Sequence, residues 1–261
     1  MKFKFKIQDY QTKAVESTVN VFKGQPFIEH VKYTRDLGIR KKENIIEHKD
    51  QFGNAQIVEK ASLFNVIDNK IEPKEIENED YYKKIENSDG FENAEIVLSD
   101  DEILKNIRDI QSINNIKLSD KLVKHLGRCS LDIEMETGTG KTYVYIKTIF
   151  ELNKRYGFSK FIVVVPSIAI REGVKKTFEI TEEHFMEYYH KKARYFIYNS
   201  KNLNALDSFS SSSNINVMII NAQAFNARGA DARRIYESLD EFQSRRPIDV
   251  IAANKPILII D

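Results

Sequence analysis

The sequence predicts an α/β protein in which a parallel sheet is flanked by helices and a glycine-rich loop sits between a strand and a helix. Two observations carry this. Glu136-Thr137-Gly138-Thr139-Gly140-Lys141-Thr142 is preceded by an apolar-leaning run, Ser130 to Met135, and followed by helical spacing over Tyr143 to Tyr156. Beyond it, apolar runs without polar alternation (Lys160 to Val165, Asn216 to Ile220, Ile257 to Ile260) alternate with stretches of helical period. Strands of that kind, spaced by helices, belong to a parallel sheet covered on both faces.

In chain order, Lys2 to Ile7 alternates with period two and reads as a strand. Asp9 is placed to cap a helix from Tyr10 to Phe22, on which Ala14, Val15, Thr18, Val19 and Phe22 share a face, with Gly24 ending it. Residues 27–67 carry short strand-like patches, Gln56 to Val58 and Leu63 to Ile67. From Asp68 to Glu102 there are 13 Asp and Glu against 4 Lys, so this stretch is expected to be a solvated or partly disordered insertion. Ile103, Ile107 and Ile110 resume a helical period, and Leu118, Leu122, Val123 and Leu126 continue it after a break.

After the loop, Pro166 ends the strand over Lys160 to Val165. Ile168 to Phe178 and Glu182 to Tyr189 read as helices, Arg194 to Tyr198 as a short strand, and Ser208 to Ser213 as a flexible serine-rich linker. Ala232 to Phe242 reads as a helix, and Ile257 to Ile260 as a strand followed by Asp261.

Composition narrows the class. The chain has 261 residues, 41% hydrophobic and 30% charged, which suits one large or two modest globular domains. A formal net charge of +1 gives no global sign of nucleic-acid binding. The single cysteine, Cys129, excludes an internal disulfide and suits a reducing cytoplasm. No apolar run approaches the roughly 20 residues of a membrane span. The basic-aromatic start, Met1 to Lys6, lacks the apolar core of a secretory signal.

The loop has the chemistry of a nucleoside triphosphate site. Backbone N–H groups at a glycine-rich turn and a helix N-terminus converge on an anion. Gly138 and Gly140 let the chain curl closely around it. Lys141 would reach the β- and γ-phosphates and the Thr142 hydroxyl would bind Mg²⁺. Met135 stands where the general P-loop pattern has its first glycine, while the Gly-x-Gly-Lys-Thr core is intact. Asp261, after four apolar residues, would present a carboxylate at the C-terminal edge of the sheet, where ligands bind in open α/β folds. An acid can also simply end a strand at solvent; with a P-loop upstream the metal role is favoured. The histidines, His30, His48, His125, His184 and His190, have no metal-ligand spacing with one another or with Cys129. Tyr188, Tyr189, Tyr195 and Tyr198 are expected as core and edge aromatics rather than base-stacking platforms.

Ile133 to Tyr145, containing that loop, resembles motif I of the restriction (Res) subunit of type III restriction-modification systems, which are superfamily 2 helicase-like enzymes. Phe161 to Val174, with Pro166, Ser167 and Arg171, is similar to motif Ia of that family. Tyr10-Gln11 followed by Ala14-Val15 resembles the adenine-reading glutamine motif, Ile219 to Phe225 sits where motif Ib would, and Leu258 to Asp261 looks like the start of motif II. The resemblance is most specific over residues 130–190, and the long spacer between Gln11 and the loop also fits this family.

The resemblance implies a RecA-like P-loop domain that begins with residues 1–23, is interrupted by an insertion over 24–128 (acidic at 68–102), and resumes over 129–261. It implies ATP binding by Tyr10, Gln11, Glu136, Thr137, Gly138, Thr139, Gly140, Lys141 and Thr142, with Mg²⁺ on Thr142 and Asp261 and catalytic roles for Lys141 and Asp261. From the residues alone, Gln11 can equally be an exposed helix residue. Pro166, Ser167, Arg171, Asn221 and Gln223 are candidate contacts to a double-stranded DNA backbone, since such groups fix register without reading sequence. For Arg171 alone a solvated helix position is the stronger reading. The implied partners are DNA and a methyltransferase (Mod) subunit, in the cytoplasm.

The glutamate that would follow Asp261 in motif II, a second RecA-like domain and a nuclease domain are not in these residues. Residues 1–261 alone are therefore expected to be inactive or weakly active as an ATPase. Another superfamily 2 helicase or translocase, a truncated non-catalytic nucleotide-binding module and, more weakly, a P-loop kinase are the alternatives.

Overall fold

The computed structural model describes residues 5–41, 45–49, 55–59, 82–84, 88–201, 203–226 and 234–261. Strands β1 (Val31–Arg35), β2 (Ile39–Lys41), β3 (Ile45–Lys49), β4 (Ala55–Glu59), β5 (Tyr82–Lys84) and β6 (Ser88–Glu92) lie before the loop. They pair antiparallel in twos, β1 with β6, β2 with β5 and β3 with β4. After it come β7 (Lys160–Val165), β8 (Arg194–Ile197), β9 (Asn216–Asn221) and β10 (Ile257–Ile260), which form one parallel sheet in the order β10-β7-β9-β8. The helices are α1 (Asp9–Asn20), α2 (Asp100–Ile113), α3 (Lys141–Tyr156), α4 (Ile168–Tyr189), α5 (Asn204–Ser211) and α6 (Pro247–Ala253). The fold is mixed α/β, with a parallel sheet between helical layers.

Side-chain alternation along the central strands feeds two cores. Phe161, Val163 and Val165 of β7 and Val217 and Ile219 of β9 point to one face, where they join Val15 and Val19 of α1, Ile146, Ile149 and Phe150 of α3, and Phe178 and Phe185 of α4. Ile162 and Val164, with Met218 and Ile220, point to the other and meet Leu206, Phe209 and Ile251. Burial of each such side chain contributes about 1.5–3 kcal/mol, so the central strands are held from both sides.

The parallel strands occupy the runs expected for them, and Gln56 to Val58 falls within β4. Several other segments differ for physical reasons. Ser130 to Met135 forms no strand; among the described residues nothing pairs with it, though Leu131 and Met135 pack on the first core. That apolar run therefore reports burial and not pairing. α1 begins one residue early, with Gln8 as a cap that makes no side-chain hydrogen bond, and Asp9 lies in the first turn, where its charge suits the helix dipole. Of the N-terminal strand expected over Lys2 to Ile7, residues 2–4 lie outside the described residues, and Phe5 to Ile7 are irregular. Leu63 to Ile67 also lies outside the described residues.

The acidic stretch is ordered over 88–102, where β6 leads to a capping box at α2: the Glu102 amide donates to Ser99 Oγ, and the Ser99 amide donates to the Glu102 carboxylate. The two helices expected between Ile168 and Tyr189 are one, because Val174, Phe178, Thr181 and Phe185 keep a single buried face with no breaker between them. Ser208 to Ser211 is helical and not a linker: Leu206 and Phe209 anchor α5, and the side-chain amide of Asn254 donates to Ser210 Oγ at 3.0 Å. Within Ala232 to Phe242, the described residues from 234 form turns and a short 3₁₀ segment, Asp240–Phe242. Ile235, Leu239 and Phe242 are buried there at helical spacing, but the Leu239–Arg245 bridge closes the segment as a loop. Leu118 to Leu126 is likewise irregular.

Candidate functional site

The glycine-rich loop folds onto the start of α3 by local hydrogen bonds: the Thr139 amide and hydroxyl both donate to the Glu136 carbonyl, at 3.4 and 2.6 Å. Gly138 and Gly140 adopt left-handed conformations, φ 82° and 84°, which only glycine takes without strain. A Cβ on Gly138 would meet nothing within 4 Å, whereas one on Gly140 would stand 2.8 Å from the side-chain nitrogen of Gln11. Gly140 is the N-cap of α3 and supplies no side chain to the helix end. First-turn amides without a side-chain cap, beside an open glycine, are the groups that bind an anion. Glu136, Thr137 and Lys141 are exposed at this position, and Thr142 is half-buried.

Two residues of α1 reach the loop from across the chain. Gln11 Nε2 donates to the Thr139 carbonyl at 2.9 Å, and the Tyr10 hydroxyl donates to the same oxygen at 3.3 Å. Packing of α1 on α3 sets this approach, with Lys147 Nζ donating to Thr12 Oγ1 at 3.2 Å. Tyr10 and Gln11 are thus brought to the P-loop, bonded to its main chain.

Asp261 is delivered by β10. The parallel register pairs Ile260 with Val164, and the Asp261 amide donates to the Val164 carbonyl at 2.9 Å, extending the ladder by one bond. Its carboxylate accepts a hydrogen bond from the Tyr145 hydroxyl at 3.3 Å. Burial pushes the Tyr145 phenol well above its ordinary pKa; the neighbouring Thr142 hydroxyl opposes that rise and Asp261 adds to it. Tyr145, one helical turn after Thr142, thus links α3 to the acid at the sheet edge. Hydroxyl and carboxylate are the hard donors that Mg²⁺ accepts, so the residues present fit such an ion. The sequence alone assigns Tyr145 no separate role. Its one available signal is its position one helical turn after Thr142.

The remaining candidates line the C-terminal edge of the parallel sheet. Pro166 is exposed after β7, and Ser167 caps α4 by accepting from the Ile170 amide. Arg171 pairs with Glu172 at 3.0 Å. Asn221 ends β9, with its side-chain oxygen buried and unpartnered, and Gln223 is exposed in the following 3₁₀ turn. Among the described residues no hydrogen bond or ion pair joins them to the loop; they share the sheet edge.

Elsewhere, His184 Nε2 lies 2.9 Å from the Tyr143 hydroxyl in an aromatic layer with Phe5 and Phe185, and burial lowers its pKa. Tyr189 stacks on Phe150, and Tyr195 on Phe178. No group of His, Cys, Asp and Glu among the described residues has the arrangement of a metal site. No helix among them is long and apolar enough to cross a membrane.

A glycine-rich loop capping a helix beside a parallel sheet, with an acid at a neighbouring strand end, defines a P-loop α/β protein. Residues 100–261, more than half of the chain, match the family described as the type III restriction enzyme, res subunit. The chain belongs to that family. It is 34% identical over 186 residues to the Res subunit of the type III restriction-modification enzyme EcoP15I of Escherichia coli, covering 65% of this chain and 19% of that subunit. It is 33% identical to the EcoPI Res subunit of Escherichia phage P1, over 65% of this chain and 19% of that one. With the StyLTI Res subunit of Salmonella typhimurium it shares 35% identity over 51% of this chain and 15% of the other. The matched part thus spans about a fifth or less of these relatives' length.

Proposed function

We propose that this chain is the ATP-binding motor portion of a type III Res subunit. In the complete protein, ATP hydrolysis would be coupled to translocation or switching on double-stranded DNA before cleavage, with a Mod methyltransferase subunit as partner, in the cytoplasm. One observation carries the reading: α3 starts without a side-chain cap behind two left-handed glycines, and the same helix reaches Asp261 through Tyr145.

In this reading residues 1–23 and 129–261 build a RecA-like domain, and 24–128 is an insertion within it. The amides of residues 138–142 and the Lys141 ammonium hold the phosphates and stabilise charge on the transferring phosphoryl group. Tyr10 and Gln11 place the base relative to the loop to which they are bonded, with Glu136 and Thr137 at its mouth. Thr142 and Asp261 would hold Mg²⁺, which neutralises phosphate charge. Pro166, Ser167, Arg171, Asn221 and Gln223 meet the DNA backbone along the sheet edge.

Binding of a fluorescent ATP analogue tests the nucleotide site, with Lys141→Ala expected to weaken it at least tenfold. ATP turnover with and without duplex DNA tests the rest. Residues 1–261 are expected to bind ATP without DNA-stimulated hydrolysis, since a superfamily 2 motor completes its site from a second domain. Equal binding by the wild-type chain and Lys141→Ala would refute the nucleotide reading. Robust DNA-stimulated hydrolysis by this chain would refute the need for a second half.

A further inference from the structure

Thr142 and Asp261 belong to different elements, the first turn of α3 and the end of β10, and two side chains so placed need something to hold them in register. The main chain of Asp261 is fixed by its bond to Val164, so the freedom that remains lies in its carboxylate. Tyr145 stands one turn along α3 from Thr142, its ring half-buried against the first core. Its hydroxyl donates to Asp261 Oδ2 at 3.3 Å across 116 residues of sequence. That bond occupies one carboxylate oxygen and leaves the other for a cation.

We infer that Tyr145 is a positioning residue for the divalent cation, its hydroxyl aligning the Asp261 carboxylate with the Thr142 hydroxyl. The inference rests on the nucleotide reading above and adds to it a residue that is not itself a ligand. Groups that orient metal ligands from behind change metal affinity by about 10–100-fold when removed. Phenylalanine keeps the ring and its packing and deletes only the oxygen, so Tyr145→Phe isolates this role.

The experiment is a titration of the 261-residue chain with a fluorescent ATP analogue, first in EDTA and then across a Mg²⁺ series. Mn²⁺ replaces Mg²⁺ in a parallel series read by electron paramagnetic resonance. Tyr145→Phe is expected to bind metal-free nucleotide within about twofold of wild type while needing about tenfold more Mg²⁺ or Mn²⁺ for half-saturation. Superimposable metal curves for the two proteins would overturn the inference and leave the nucleotide site standing. Loss of metal-free binding in Tyr145→Phe would also overturn it, because the hydroxyl would then serve the loop and not the cation. No nucleotide binding by the wild-type chain would overturn the nucleotide reading itself, and the inference with it.

Discussion

The side-chain amide of Gln11 donates to the main-chain carbonyl of Thr139 at 2.9 Å, tying the first helix to the glycine-rich loop across 128 residues of sequence. In the proposed reading, the residue that places the base is thus also a strut of the glycine-rich loop. One half-buried neutral hydrogen bond contributes about 1 kcal/mol net. Gln11→Ala is expected to lower stability by about that amount, read as a shift of the urea midpoint at unchanged slope. A wild-type midpoint would show that the Tyr10 hydroxyl, bonded to the same oxygen, suffices alone.

The same contact separates the two loop glycines. Gly138→Ala and Gly140→Ala both force alanine into the left-handed region, at roughly 1–2 kcal/mol each. At 140 the new methyl would also stand 2.8 Å from Gln11 Nε2, while at 138 it meets nothing within 4 Å. Gly140→Ala should therefore be the more destabilising of the two. In a Gln11→Ala background the difference should shrink, because the clashing atom is gone. Equal effects in both backgrounds would mean that backbone strain accounts for everything.

Lys160 opens β7 with no solvent exposure, and its amine donates to the carbonyls of Phe209 and Ser212. A neutral amine has two N–H groups, so both carbonyls are satisfied without the third proton. Burial, and secondarily the charge of Arg35, lower its pKa from 10.5 to about 7. Between those values the unfolded chain binds a proton that the folded chain does not, so stability should rise with pH above about 7 and lie flat below it. The full linkage slope is about 1.4 kcal/mol per pH unit. Chemical denaturation at pH 6, 7, 8 and 9 should show the rise in the wild-type chain and a flatter profile in Lys160→Met. Identical profiles would mean that Lys160 stays charged when folded.

Legibility in the sequence followed burial. β7 and β9 are covered on both faces, so they appear as unbroken apolar runs with their ends nearly marked. The P-loop and the start of α3 were readable because a left-handed turn before a helix demands glycine at fixed places. What failed depended on tertiary partners. Ser130 to Met135 has strand composition but, among the described residues, no strand pairs with it, and the polarity of the α5 serines hides a helix that Leu206 and Phe209 anchor. Tyr145 lies within the motif I run, but its hydrogen bond to Asp261 exists only once β10 pairs with β7 and carries that residue beside it.

Asp207 holds two buried arginines, and this junction ties β1 to the helical layer of α5. Arg35 Nη2 donates to Asp207 Oδ1 at 2.7 Å, while Arg245 grips both carboxylate oxygens at 2.9 and 3.0 Å. The side chains of Arg35 and Arg245 are only 8% and 6% exposed, so removing the shared anion strands two charges in a poorly solvated place. Loss of one partner from a buried pair costs about 3–5 kcal/mol. Asp207 itself is 33% exposed, and water reaching it discounts that to about 2 kcal/mol or more. Asp207→Asn keeps the shape and deletes the charge, so its urea midpoint should fall by that equivalent. Replacing all three residues with apolar ones should recover part of the loss. A triple variant no better than Asp207→Asn would show that the hydrogen bonds, and not the stranded charges, hold β1 in place.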